Sequence, residues 1–154
     1  MILTTHILSG AALGANVENP YAAAGLAIVL HFLLDLFPHG DYLNKKSQLR
    51  EFWKVAIDLA VGSGLVFAIL SQNLTLNKTN IAVGIIFSLL PDGTTFFYHW
   101  MKMKFLAPIH AFHQKLHRAP DFSPQRQFRL KNNLWDILVS LVSLIILIFL
   151  TLPS

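Results

Sequence analysis

The sequence has no cysteine and little charge: 13% of its 154 residues are Asp, Glu, Lys or Arg. Without cysteine there is no disulfide framework, no thiolate metal ligand and no thiol nucleophile. Chemistry must come from the seven histidines and eight acids. The scarcity of charge excludes an ordinary soluble domain, in which about a quarter of residues are charged. A chain this short also has too little polar surface to cover its core. What is abundant is apolar: 54% hydrophobic residues and a mean hydropathy of +0.53. The bilayer is the expected solvent. A formal charge of +4 and a pI near 9.6 would suit nucleic acid, but basic residues in a membrane protein first report topology and contact with anionic headgroups.

Residues 134–152, LWDILVSLVSLIILIFLTL, are apolar for one bilayer crossing apart from Asp136, Ser140 and Ser143. Residues 21–38, 55–71 and 81–99 are each near the length of a helix crossing about 30 Å of hydrocarbon. Residues 2–15 form a shorter apolar stretch, joined to the next span by a polar turn at Asn16, Glu18, Asn19 and Pro20. No positive segment precedes it, so it is expected as a retained helix rather than a signal peptide. Its Gly10 and Gly14 have the GxxxG spacing that lets a neighbouring helix approach closely. The expectation is an all-α, single-domain polytopic bundle of about five transmembrane helices.

Of the twelve lysines and arginines, only Lys78 lies in the 72–80 loop, and the others flank the opposite ends of the spans. Positive residues favour cytoplasmic loops. The N-terminus is therefore expected in the cytoplasm and the C-terminus outside, as in a bacterial inner-membrane protein. This topology accounts for the basic residues, so no nucleic-acid partner is expected. The 101–131 connection carries an amphipathic helix over about 104–118, with Phe105, Leu106, Ile109, Phe112 and Leu116 on one side and Lys115 and Arg118 on the other. Such a helix lies on a membrane surface. Trp53, Trp100, Trp135, Tyr42 and Tyr98 read as an aromatic belt.

The topology gives each ionisable residue a depth. His6, His31, Asp35, His39, Asp41, Asp58, Asp92, His99 and Asp136 all fall toward the cytoplasmic side, with a contribution from every span. A carboxylate inside a membrane costs roughly 2.5–3.5 kcal/mol to insert and calls for a partner. No buried Lys or Arg accompanies these, so a divalent metal supplies the missing positive charge most simply. His31 and Asp35 are four apart on one helix face, within reach of one ion. Asp92 and His99 are two turns apart if their stretch is helical, although Pro91-Asp92-Gly93 can instead break the helix. Mixed imidazole and carboxylate ligands suit zinc, with manganese or iron as alternatives. The plainer readings are that His31 and Asp35 hydrogen-bond to each other, and that Asp58 and Asp136 cap helix N-termini. His110, His113 and His117 border the apolar face of the amphipathic helix, either as ligands on a lid or as interfacial histidines touching lipid phosphates.

His6 with the Gly-rich helix after it, the segment from His31 through Asp35 and Pro38-His39-Gly40-Asp41 to Tyr42, and Leu90-Pro91-Asp92 resemble the YdjM-like predicted membrane-bound metal-dependent hydrolases. The resemblance covers about residues 1–99. Phe37-Pro38-His39-Gly40-Asp41 is an altered form of that family's middle element. His117-Arg118 is the nearest fragment of its last. The HxxxD spacing is also similar to one used by zinc-dependent phospholipase C enzymes. The resemblance implies a metal-dependent hydrolase, and the expectation is action on a phosphoester or lipid headgroup, with His31, Asp35, His39, Asp41 and Asp92 holding one or two metal ions and His6 and His99 as further candidate ligands. Asp58 or Asp136 would be general base, and Lys102, Lys104 and Arg118 would hold an anionic headgroup. The rival expectation is a metal or proton carrier, or a scaffolding partner, using the same cluster. A second copy of the chain can complete a polar cavity in either case.

Overall fold

The structure, a computed structural model, describes residues 1–44, 46–72, 76–117 and 122–151. Among these there are six α-helices and no strand: α1 Leu3–Asn16, α2 Pro20–Asp35, α3 Trp53–Gln72, α4 Lys78–Trp100, α5 Ala107–Leu116 and α6 Leu134–Thr151. Three helical stretches are long and apolar enough to cross a membrane: Leu49–Gln72, which includes a 3-10 turn before α3, then α4 and α6. The two N-terminal helices are shorter. With 14 and 16 residues, α1 and α2 span about 21 and 24 Å at 1.5 Å per residue, less than the roughly 30 Å of hydrocarbon.

The position of α1 explains its length. It is the central helix, packed against α2, α3, α4 and α6, and Thr5, His6, Ile7, Leu8 and Ala11 are fully buried. Neighbouring helices cover it, so it need not present 20 apolar residues to lipid. The outer helices do the reverse. Large apolar side chains such as Phe67, Ile86, Leu141 and Phe149 face outward, which is the composition of a lipid-facing surface.

Glycine sets the close approach of α1 and α4. A Cβ at Gly10 would lie 2.6 Å from the Gly84 carbonyl oxygen and 2.8 Å from Ser88 Cβ. At Gly84 it would run into the Gly10 carbonyl. Helix association in lipid depends on such van der Waals contact, because burial from lipid supplies little. Asn80 ties the far end of the same pair, donating to the Val17 and Glu18 carbonyls at 2.7 and 2.6 Å. Asn19 caps α2 by accepting from the amides of Tyr21 and Ala22.

Several boundaries differ from expectation. The 21–38 span stops at Asp35, because Pro38 disfavours helix at the residue before it and cannot donate within one. Pro91, by contrast, does not break α4, which continues to Trp100. The amphipathic segment is α-helical only over Ala107–Leu116, after a 3-10 turn at Lys104–Leu106. Pro108 in its first turn suits a helix start.

Candidate metal centre

Asp35, the last residue of α2, is fully buried and stands at the middle of a ring of nitrogens. Its Oδ2 is 2.7 Å from His113 Nε2 and 3.1 Å from His31 Nε2. Its Oδ1 is 2.8 Å from the Met1 ammonium and 3.4 Å from His6 Nε2. His39 and His117 stand farther off, their Nε2 atoms 4.0 and 3.9 Å from the carboxylate. Asp92 adds a second carboxylate, with Oδ1 3.8 Å from His113 Nε2.

The far side of each ring matters as much. His31 Nδ1 donates to the Ser88 carbonyl at 2.7 Å, in the α4 turn where the Pro91 ring interrupts the ladder. His39 Nδ1 donates to the Phe37 carbonyl at 2.8 Å. His113 Nδ1 pairs with Thr95 Oγ1 at 3.1 Å. In all three, Nδ1 is anchored to a protein oxygen and Nε2 is turned toward Asp35. Metal-ligating imidazoles are held this way, the outer hydrogen bond fixing tautomer and ring orientation. Two groups have donor atoms close enough to hold an ion, within 4.8 Å of one another: His31, Asp35, Asp92 and His113, and Asp35, His39 and His117.

His6 is the buried outlier. Its ring stacks on His31 at 4.1 Å, and neither of its nitrogens has a hydrogen-bond partner. Such an unmet polar group is costly away from water. Asp41 sits 3.6 Å from His39 Nε2, but its Oδ2 accepts from Arg126 Nε at 2.6 Å. The backbone reinforces that pairing, with Asp41 N donating to the Arg126 carbonyl. Burial holds the His117 ring down to about 3 and also lowers His39, where the Met1 ammonium adds to the effect. Both rings are therefore neutral near pH 7, the form that binds a cation.

Other expected residues lie elsewhere. Asp58 and Asp136 do not face the cluster as general bases; they cap α1. Asp58 accepts from Leu3 N, Thr4 N, Thr4 Oγ1 and Tyr42 OH. Asp136 accepts from Ile2 N, Thr5 Oγ1 and Asn133 Nδ2. Carboxylates there satisfy orphan amides and complement the positive helix end. Partial burial beside Asp58 pushes the Tyr42 hydroxyl up, and half-buried Tyr42 donates to that carboxylate. His99 is exposed, its ring 4.5 Å from His110. His110 itself stacks on Tyr98 and lies 3.5 Å from Thr95 Oγ1, so both sit beside the candidate groups rather than within them. Lys102 and Lys104 are exposed and line neither cavity. Arg118 lies outside the described residues.

The amphipathic helix docks by its histidine stripe, the arrangement in which the histidines face the site and the apolar side faces away. His110 and His113 are its buried residues, while Phe105, Ile109 and Phe112 point outward. The 3–4 spacing of the histidines marked the stripe, but the hydrophobic pattern could not say which stripe faced the bundle. Thr95, the Ser88 carbonyl and Arg126 were not foreseen. Thr95 is three residues beyond Asp92 and so on its face of α4, a signal the spacing carried; the others depend on contacts between distant segments.

A cavity of about 550 Å³ opens onto the cluster. Asp92, His113, His117 and Arg126 line its polar end, and Val55, Leu59, Leu89 and Phe96 its apolar walls. Those walls belong to α3 and α4, which pack on α1 but have no extensive contact with each other. A second cavity, about 780 Å³, lies between α3 and residues 122–128 and shares Asp41 and Arg126 with the first, but is lined by none of the histidines. The chain matches no family model, no curated protein and no solved structure.

Proposed function

We propose that the chain is a membrane-embedded, metal-dependent hydrolase of a lipid phosphoester, working at headgroup level on the cytoplasmic side of a bacterial inner membrane. The observation that carries the reading is the anchoring of His31, His39 and His113 through Nδ1, with each Nε2 turned toward the buried Asp35 carboxylate. The donor set suits zinc, with manganese or iron as alternatives. The resemblance to the YdjM-like hydrolases points the same way.

In this reading His31, Asp35, Asp92 and His113 hold an ion. A divalent ion so held lowers the pKa of its bound water toward about 7 and neutralises charge building on a phosphoryl oxygen. The protein does the rest. Arg126, fixed by Asp41, puts a guanidinium on the cavity wall to meet the phosphoester anion. Asp92, whose side chain is 29% exposed, stands where the buried centre meets the cavity. The apolar walls between α3 and α4 favour a substrate with a hydrocarbon chain over a water-soluble phosphoester. In the same topology all five long or apolar helices cross or enter the bilayer, with the N-terminus cytoplasmic and α5 lying at the interface, its Ile109 and Phe112 in lipid. The outer halves of the spans are almost wholly apolar, which disfavours a carrier.

Elemental analysis of the detergent-purified protein, beside a His31→Ala/Asp35→Ala variant, tests the reading together with phosphate-headgroup release from phospholipid vesicles and from a soluble phosphodiester. Bound zinc or manganese and vesicle turnover, both lost in the variant, are expected. Turnover of the soluble ester alone would exclude a lipid substrate. Metal without turnover of either would favour a binding or scaffolding role, and no metal after reconstitution would end the metal reading.

A further inference from the structure

We propose that the centre holds two divalent cations bridged by Asp35, one between His31, Asp35, Asp92 and His113 and the other between Asp35, His39 and His117. The proposal rests on the hydrolase reading for its purpose, but its geometry is independent of any reaction.

The first group can hold an ion without further protein ligands: His31, His113 and Asp35 supply three, and Asp92 stands where a bound water would complete the site. His39 and His117 are then left over. His39 Nδ1 donates to the Phe37 carbonyl, so Nε2 of the neutral ring carries a lone pair, which meets His117 Nδ1 at 3.1 Å. Without an ion the His117 Nδ1 proton fills that lone pair, and His117 Nε2 faces Asp35 Oδ2 at 3.9 Å with a lone pair of its own. An ion in this group would replace the imidazole–imidazole hydrogen bond, taking the His39 Nε2 lone pair and one from His117, with Asp35 as the third ligand. The 3.9 and 4.0 Å separations of His117 and His39 from Asp35 are too long for hydrogen bonds. They are near the ligand-to-ligand spacing of roughly 3.3–3.6 Å around an ion with bonds of about 2.0–2.2 Å.

His6 is fully buried, both its nitrogens lack hydrogen-bond partners, and Nε2 is 3.4 Å from Asp35 Oδ1, the oxygen that also meets the Met1 ammonium at 2.8 Å. Paired ions about 3.5–4 Å apart clamp both the attacking and the leaving oxygen of a displacement.

The test is metal stoichiometry and magnetic coupling in the full chain, reconstituted with manganese and with zinc. Two equivalents per chain and an exchange-coupled manganese signal are expected, falling to one equivalent with an uncoupled signal in His39→Ala/His117→Ala. Reciprocal loss in His31→Ala/His113→Ala guards against a variant that misfolds. A single equivalent in the saturated wild type, with vesicle turnover intact, would overturn the two-ion centre and leave the hydrolase reading standing. Two equivalents with an uncoupled signal would overturn the Asp35 bridge. No bound metal would leave the Met1 ammonium as the counter-charge of Asp35 and overturn both.

Discussion

The two ends of the α1–α4 pair are built on opposite principles. Toward the 72–80 loop the helices meet backbone to backbone: Gly14 lies against the Asn80 carbonyl and Gly84 against that of Gly10. Toward the other end side chains meet instead: His6, His31 and His113 converge on Asp35, with a cavity beside them. A glycine contact has no side chain to adjust, so it makes one end a rigid fulcrum. A buried polar cluster needs such a fixed frame, because a misplacement of 1 Å at its centre is costly.

Breaking the rigid end should have the largest effect. Gly84→Leu would drive a side chain into the Gly10 carbonyl and should cost more than about 3 kcal/mol, beyond ordinary overpacking. The expected readout is loss of a monodisperse detergent-solubilised protein, and a stable variant would show that the helices can separate at that end. At the polar end, Thr95→Val removes the anchor of His113 Nδ1 without touching an ion. Metal affinity should fall by about 10–100-fold, with the fold intact and with recovery in Thr95→Ser. Unchanged affinity in a competition titration would mean that the ring is oriented by packing alone. The smallest effect belongs to neither end. Phe149→Ala on the outward face of α6, where the ring is 68% exposed, should change stability by no more than about 0.5 kcal/mol; a larger drop in unfolding midpoint would reveal a partner on that face.

The division between legible and hidden features follows the same physics. Residues 134–152 declare a helix by length and apolarity, and Gly10 with Gly14 announces a close approach, because both signals are local. That Asp35, Asp58, Asp92 and Asp136 gather at one end of the bundle was legible too, since their distances from span ends are counted along the chain. Their roles were legible only as alternatives. Capping was one reading of Asp58 and Asp136, but that the helix they cap is α1, while Asp35 faces imidazoles, depends on contacts between distant segments. The short length of α1 looked like weak insertion, yet burial by four neighbours is its cause.

By itself, then, the chain determined its helical class, its need for an apolar surrounding and the level at which its carboxylates and imidazoles gather, because hydrophobic period and run length are properties of contiguous residues. Tertiary structure decided which nitrogen of each histidine faces inward, which stripe of α5 docks and which aspartate lies at the centre. Those choices turn on contacts between segments up to 134 positions apart, as between Ile2 and Asp136, and no local pattern encodes them.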